Sequence, residues 1–503
     1  MAIVPIRSQP GVQRDGTDFD RKAYRDAQWC RFQRGLPKKI AGYRSVTGTL
    51  AQIVYGLHSF TVNATQYMHL GSASLLGQRL IDNDGIQTAF NDRTPAIVAS
   101  ASNIWQFDAI FDVDLADTAI VAHVAPNMDI ASDDAQPVWF APVTGVGALA
   151  NTTYTSVSGG IFAVGNYLVA FGSGGYVQWN STPNNLDLGT DEDHVTQQKI
   201  VRGLPVRGGG VPAGLLWSLD QLLIMALNAG GTPLWDFDVI GEVSVMSSRG
   251  IIEYDGVYYW PGVDRWLSYN GVIREIPNTF NVNFFFDNLN FEQRQKVFAY
   301  KVPRFGEIWW FFPYGVGQVE CNHAVIFNVR EGYWYDTEIP NLGRSDGIYA
   351  KVYFKPFLTG VELGGSGYTL WQHETGVNEV GATTEPIPSH FETAEISMVS
   401  AEEPQDQSLS VSILEPDFVQ AGDLTLTVKG RANARARQIT HDPIPITEQE
   451  SIEVGVDAEN QLARTKFSHR LMSFKFESNT PDGDYEMGHV VAHVQPADGR
   501  KTQ

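Results

Sequence analysis

Runs of four to six Val, Ile, Leu, Phe, Tyr and Trp recur along the chain between turn residues, and few stretches hold apolar positions at helical spacing. The clearest helical pattern is NFEQRQKVFAY (290–300), where Phe291, Val297 and Phe298 leave a polar face and predict two or three turns of helix. Elsewhere one plan repeats: an apolar strand, a tight turn, a second apolar strand, then a strand carrying Trp. It is read at 104–141, 161–180, 215–238, 251–271, 307–336 and 364–374, with turns expected at Gly165-Asn166, near Asp220 and at Asp255-Gly256. The Trp positions 139, 179, 235, 266, 334 and 371 are separated by 40, 56, 31, 68 and 37 residues, so the repeats are degenerate. Units of roughly 40 to 50 residues with about four short strands each predict β-propeller blades. An inner blade strand is covered on both faces, which explains the run Trp309, Trp310, Phe311, Phe312 without alternation. Trp139, Trp179, Trp235, Trp266, Trp309, Trp310, Trp334 and Trp371 are therefore expected as blade core.

The flanks differ. Residues 1–50 are polar and carry Arg21, Lys22, Arg25, Arg31, Arg34, Lys38, Lys39 and Arg44, which reads as an extended N-terminal arm. The propeller-like domain is assigned to 51–380. After the Pro-containing linker GATTEPIPSH (381–390), the segments LSVSILE, LTLTVKG, SIEVGVD, MSFKFES and HVVAHVQ alternate like antiparallel strands and predict a β-sandwich-like domain over 381–503. The fold class is all-β.

Charge and composition narrow the function. Thirty-six basic against fifty-seven acidic residues give a net charge of −21, which repels nucleic acid overall, so any contact with DNA is expected to be local or non-adhesive. No stretch approaches the roughly 18 apolar residues of a membrane span, and the start lacks a secretory pattern, so synthesis and folding in cytoplasm are expected. Cys30 and Cys321 have neither disulfide-framework nor zinc-ligand spacing and read as buried free thiols.

A search for chemistry finds no G-x-S-x-G elbow, H-E-x-x-H or P-loop. The glycine run at 201–214 lacks the helix that a phosphate cradle needs and reads as a loop. DLGTDEDH (187–194) gathers Asp187, Asp191, Glu192, Asp193 and His194 but lacks the order of a calcium loop, so a solvated acidic loop is expected. KGRANARAR (429–437) presents Lys429, Arg431, Arg435 and Arg437, and pairing with acidic surface on a neighbouring subunit is favoured over a grip on phosphates. No catalytic residue, cofactor or metal is assigned. A binding propeller is the alternative, with Tyr258, Tyr259 and Trp260 as a stacking surface for host glycan, or a surface that docks fibres.

AQWCRFQRGLPKKIAGY (27–43) resembles the arm of tail proteins of double-stranded DNA bacteriophages, where an R-F-x-x-G-x-P-x-K-I-x-G-Y/W phrase recurs. The pairs IWQFD with PVWFAP and LWSLD with PLWDFD, the stretch 294–334 and the C-terminal 470–501 are similar to their blades and closing domain. The resemblance implies a tail nozzle of a short-tailed phage: a propeller-bearing subunit at the distal end of the virion tail, typically a ring of six. Its implied partners are further copies of itself, the tail adaptor, and tail fibre or spike proteins. Double-stranded DNA would pass through transiently, and acidic side chains rather than Arg431 or Arg435 would dominate the channel wall. No gating residue matches, so none is carried over.

Overall fold

The computed structural model describes residues 2–497 apart from 19, 63, 83, 101–102, 126–134, 187–188, 209, 229, 341–342, 351–354, 366, 398–407 and 448–462. The expected strand SIEVGVD lies outside the described residues. Among them, six sheets are plain four-stranded antiparallel meanders, at residues 54–92, 105–151, 160–194, 200–242, 252–275 and 298–338. These are blades 1 to 6. Blade 7 joins Arg344–Ala350, Lys355–Val361 and Tyr368–His373 to a fourth strand from the chain's beginning, Tyr43–Ser45. That strand runs antiparallel to the third, with Trp371 opposite Ser45 and His373 opposite Tyr43.

The first strands of the blades form an inner ring. Val54–Val62 packs on Trp105–Asp112, that on Gly160–Val164, and that on Ile200–Pro205; from there Ser248–Gly250 carries the contact on to Phe298–Val302, which packs on Arg344–Ala350, and Arg344–Ala350 returns to Val54–Val62. Carboxylates and an amide clasp neighbouring blades here. Asp108 accepts a hydrogen bond from Ala163 N at 2.7 Å, Gln106 accepts one from Ile161 N at 3.2 Å, and Asp346 accepts one from Leu57 N at 2.7 Å across the closure. The architecture is all-β and propeller-like, with seven blades among the described residues.

Local chemistry accounts for the hairpins. Asp255 and Gly256 join Ile252–Tyr254 to Val257–Pro261 with positive φ at both residues, 50° and 81°, as a type I′ turn requires. Every side chain of Glu307–Phe312 is buried. Trp309 and Phe311 face a core shared with the N- and C-terminal strands, whereas Ile308, Trp310 and Phe312 face blade 5 and its following helix. The aromatic run is thus an inner-blade strand covered on both faces. Trp310→Ala should cost about 3–5 kcal/mol, read as a shift in the urea midpoint at unchanged slope; a change near zero would contradict its packing against Trp266, whose ring centroid lies 4.6 Å away.

Two local expectations change. The stretch 290–300 is not an α-helix: Phe291–Lys296 makes a 3₁₀ turn, and Phe298 opens a strand. Phe291 is exposed while Val297 and Phe298 are fully buried, so the apolar spacing came from two different elements. The α-helix lies just before it, at Val282–Asn288. The glycine run 201–214 is a loop only at its centre, because Ile200–Pro205 and Ala213–Ser218 are paired strands. A Cβ on Gly203 or Gly214 would lie 2.3 or 2.7 Å from the ring of Phe162, so these glycines seat the aromatic of blade 3.

The N-terminal segment is extended but does not hang free. Ala2–Ile6 pairs with Val490–Ala497, Asp26–Gln28 with Ser389–Glu392, and Leu36–Lys39 with Asp484–Met487. It thereby adds strands to each of the three C-terminal sheets before entering blade 7. Trp29, Cys30, Phe32, Ile40 and Tyr43 join one hydrophobic core with Trp309, Trp371, Phe391, Phe474 and Phe476.

Candidate functional site

The eight tryptophans expected as core sit in blades 2 to 7 and are at most 4% exposed. Tyr258, Tyr259 and Trp260, the stacking surface named for a glycan, are 3, 9 and 0% exposed, so they offer no open aromatic face. The residues that carry distinctive electrostatics are charged, and they fall into three groups.

The first is the junction of the N-terminal segment with blades 6 and 7. Arg31 is fully buried, with Nε 2.9 Å from Glu307 and its terminal nitrogens donating to Glu374 at 2.5 and 2.9 Å. Burial disfavours the charged guanidinium, but the carboxylates of Glu307 and Glu374 outweigh it and hold the proton of Arg31 more tightly than in water. Glu307 also accepts hydrogen bonds from Tyr335 Oη at 2.6 Å and Trp309 Nε1 at 2.9 Å. Nearby, Arg14 bridges Asp26 at 2.5 Å and Asp336 at 2.9 Å, and each carboxylate also meets a histidine, His390 or His323. Burial pushes Asp26 and Asp336 up, but these partners outweigh it and hold both below the usual carboxylate range.

Most of the N-terminal basic cluster is consumed in the same way. Arg25 reaches Glu395 and Glu392, Lys38 reaches Glu486, Lys39 donates to Gly483 O at 2.7 Å, and Arg44 donates to Gln372. Arg21 pairs with Asp18 and Arg34 with Glu486. Burial pulls the Lys39 ammonium down to about 8. Lys22 stays exposed.

The second group is the basic hairpin. Lys429 pairs with Glu392 at 2.5 Å, and Arg431 with Asp18 at 2.7 Å and with Glu395. These two are structural within the chain. Arg435 and Arg437, on the connection between Leu424–Arg431 and Ile439–Thr440, are exposed and have no acidic partner among the described residues.

The third group is an acidic edge. Asp191, Glu192 and Asp193 lie on Thr190–His194, which is a strand at the outer edge of blade 3 rather than a loop. Asp187 is outside the described residues. On the outer strand of blade 4, Trp235–Glu242, the exposed side chains include Asp236, Asp238 and Glu242. No Lys or Arg pairs with any of these six carboxylates among the described residues. Charges on open sheet edges oppose indiscriminate strand pairing. Among the described residues, no three His, Cys, Asp or Glu side chains are grouped to hold a metal ion, and no helix is long and apolar enough to cross a membrane.

Burial pushes the Cys30 thiol up to about 12 and raises Cys321 further, so neither is a thiolate near neutral pH. An apolar groove of about 480 Å³ follows Ala2–Ile6 along Ile396, Leu409 and Val494 and has no titratable lining residue. Arg14, Glu307, Asp336 and Glu374 escaped the sequence reading. Glu307 left one trace, a carboxylate at the head of an otherwise apolar strand, which demands a buried cation. No protein-family model matches the chain, and no curated protein matches it.

Proposed function

We propose that the chain is a structural subunit of a short-tailed phage tail: a nozzle subunit that assembles as a ring of like copies below the adaptor and lets DNA pass without holding it. A ring of six, contacts with adaptor and fibre or spike proteins, and a place at the distal end of the virion tail belong to this reading. The observation that supports it best is the fate of residues 27–43. The stretch that resembles phage tail proteins staples the closing blade to the C-terminal sheets, and most of its bases are spent on internal partners. What remains exposed is a surface with a formal charge of −21 behind it.

Gold labelling of virions with an antibody to the protein tests the reading; label at the tip of a short tail supports it, and label spread along fibres moves it to a fibre-docking protein. A second expectation follows from the charge. Purified protein should retain duplex DNA no better than the weakest non-specific binders, with a Kd of about 10⁻⁴ M or weaker at physiological salt. Micromolar retention in a gel-shift titration would contradict a non-adhesive passage.

A further inference from the structure

Arg435 and Arg437 and the acidic edge of blades 3 and 4 are exposed features of opposite sign, and neither has a partner of opposite charge among the described residues. The hairpin belongs to the sheet that also holds Asp26–Gln28 and Ser389–Glu392, and this region shares its core with blades 6 and 7. In a ring of seven blades, blades 3 and 4 lie three steps from blade 7 in either direction, the far side. Within the chain, no ion pair joins the loop to that edge among the described residues.

The loop is also prepared for contact. Its root is pinned by the ion pairs of Lys429 and Arg431 with Glu392, Asp18 and Glu395. Its turn is fixed by Asn433, whose side chain accepts from Arg435 N at 3.0 Å and whose carbonyl accepts from Ala436 N at 3.0 Å. Little conformational entropy is left for binding to remove, apart from that of the two arginine side chains. On the other side, the carboxylates lie on the outermost strands of two blades, and the edge of Thr190–His194 has no strand partner beyond it among the described residues.

We infer that the turn carrying Arg435 and Arg437 of one copy docks on the acidic edge strands of blades 3 and 4 of the next copy. The contact is heterologous, joining two different patches, so repetition yields a closed ring or an open filament. It deepens the reading of the chain as an assembling tail subunit and rests on it. The partner chosen is a second copy because the complementary charge is present on this same chain and is not paired with the loop within it among the described residues.

Three full-length variants test the contact by light scattering after size-exclusion chromatography: Arg435→Glu with Arg437→Glu; Asp191→Lys, Glu192→Lys, Asp193→Lys, Asp236→Lys, Asp238→Lys and Glu242→Lys; and all eight changes together. The wild type should form assemblies at low salt that weaken at about 1 M, where the screening length is ~3 Å. Each reversed variant should lose association at least ~tenfold, since like charges then meet across the contact, and the fully reversed chain should recover it. Circular dichroism confirms that each variant is folded. Assemblies of wild-type size from the arginine variant overturn this contact and leave the ring reading standing. Failure of the fully reversed, folded chain to recover also overturns it. A wild type that stays monomeric at every concentration overturns both this contact and the assembling-subunit reading, whereas gold labelling speaks to the tail location alone.

Discussion

Replacing Arg31 with Met should destabilise the protein by about 3–5 kcal/mol, because it removes the cation from two carboxylates that stay buried. Glu307 is 0% exposed and the Glu374 side chain 9%, so water cannot replace the guanidinium at the first and does so poorly at the second. The loss should be larger than that of an exposed pair such as Arg34 with Glu486, where removal should cost at most about 1 kcal/mol. Urea denaturation of both variants makes the comparison. A triple change, Arg31→Met with Glu307→Gln and Glu374→Gln, should recover a substantial part, since replacing a whole buried ionic group is far milder than breaking it. If Arg31→Met alone shifts the midpoint no more than the surface variant, the buried pairing described here is wrong.

Acid should destabilise the protein over two successive pH windows. Burial pulls His58 and His123 down to about 4, and His69 and His373 well below their ordinary value. The unfolded chain takes up these protons near pH 6.5, while the folded chain refuses them until about 4. Between those values the unfolded state binds more protons, so stability falls as pH drops from 6.5 and levels off near 4, by about 3 kcal/mol each for His58 and His123. Asp26 and Asp336 act in the next window: their depressed folded values give stability that is present above about pH 4 and is lost below it. Stability measured from about pH 7.5 to about 3 should show both slopes. His123→Leu should flatten the first slope, because His123 is fully buried and its ring meets only the Pro137 carbonyl, at 3.2 Å, among the described residues. An unchanged slope in that variant would mean His123 is protonated in the folded state.

Strand-level features were legible where a short-range rule applies. The Asp255-Gly256 turn, the both-faces-buried strand at 307 to 312 and four of the five expected C-terminal strands follow from local pattern. Blade 1 was missed for a physical reason. It contains no Trp, and its Gly56 and Gly71 instead receive Trp105 from blade 2, a Cβ at either position falling 2.5 or 2.2 Å from that side chain. The bulk that marks a blade core was written in the neighbour's sequence. The last blade was legible at 364–374, but its fourth strand was not: Arg44 and Gln372 are 328 residues apart, and no window connects them. Charge showed the same split, since the basic cluster was plain to see while its acidic partners at 307, 374, 392 and 395 were not.

The borrowed strand Tyr43–Ser45 also sets a timetable for synthesis. It is made early, but both strands it pairs with, Tyr368–His373 and Asn378–Val380, emerge only after the intervening chain, roughly 15 to 65 s later at ribosomal rates. Until blade 6 is made, Trp29 and Phe32 lack Trp309, Tyr333 and Tyr335, and Tyr43 lacks Trp371 for longer still, so the nascent chain carries a sticky, unpaired leader. Such a leader is a natural target for a holding chaperone. A chain broken off before residue 368 leaves Tyr43–Ser45 without either of its strand partners, so the strand that closes the last blade is also the one that every shorter copy leaves unpaired.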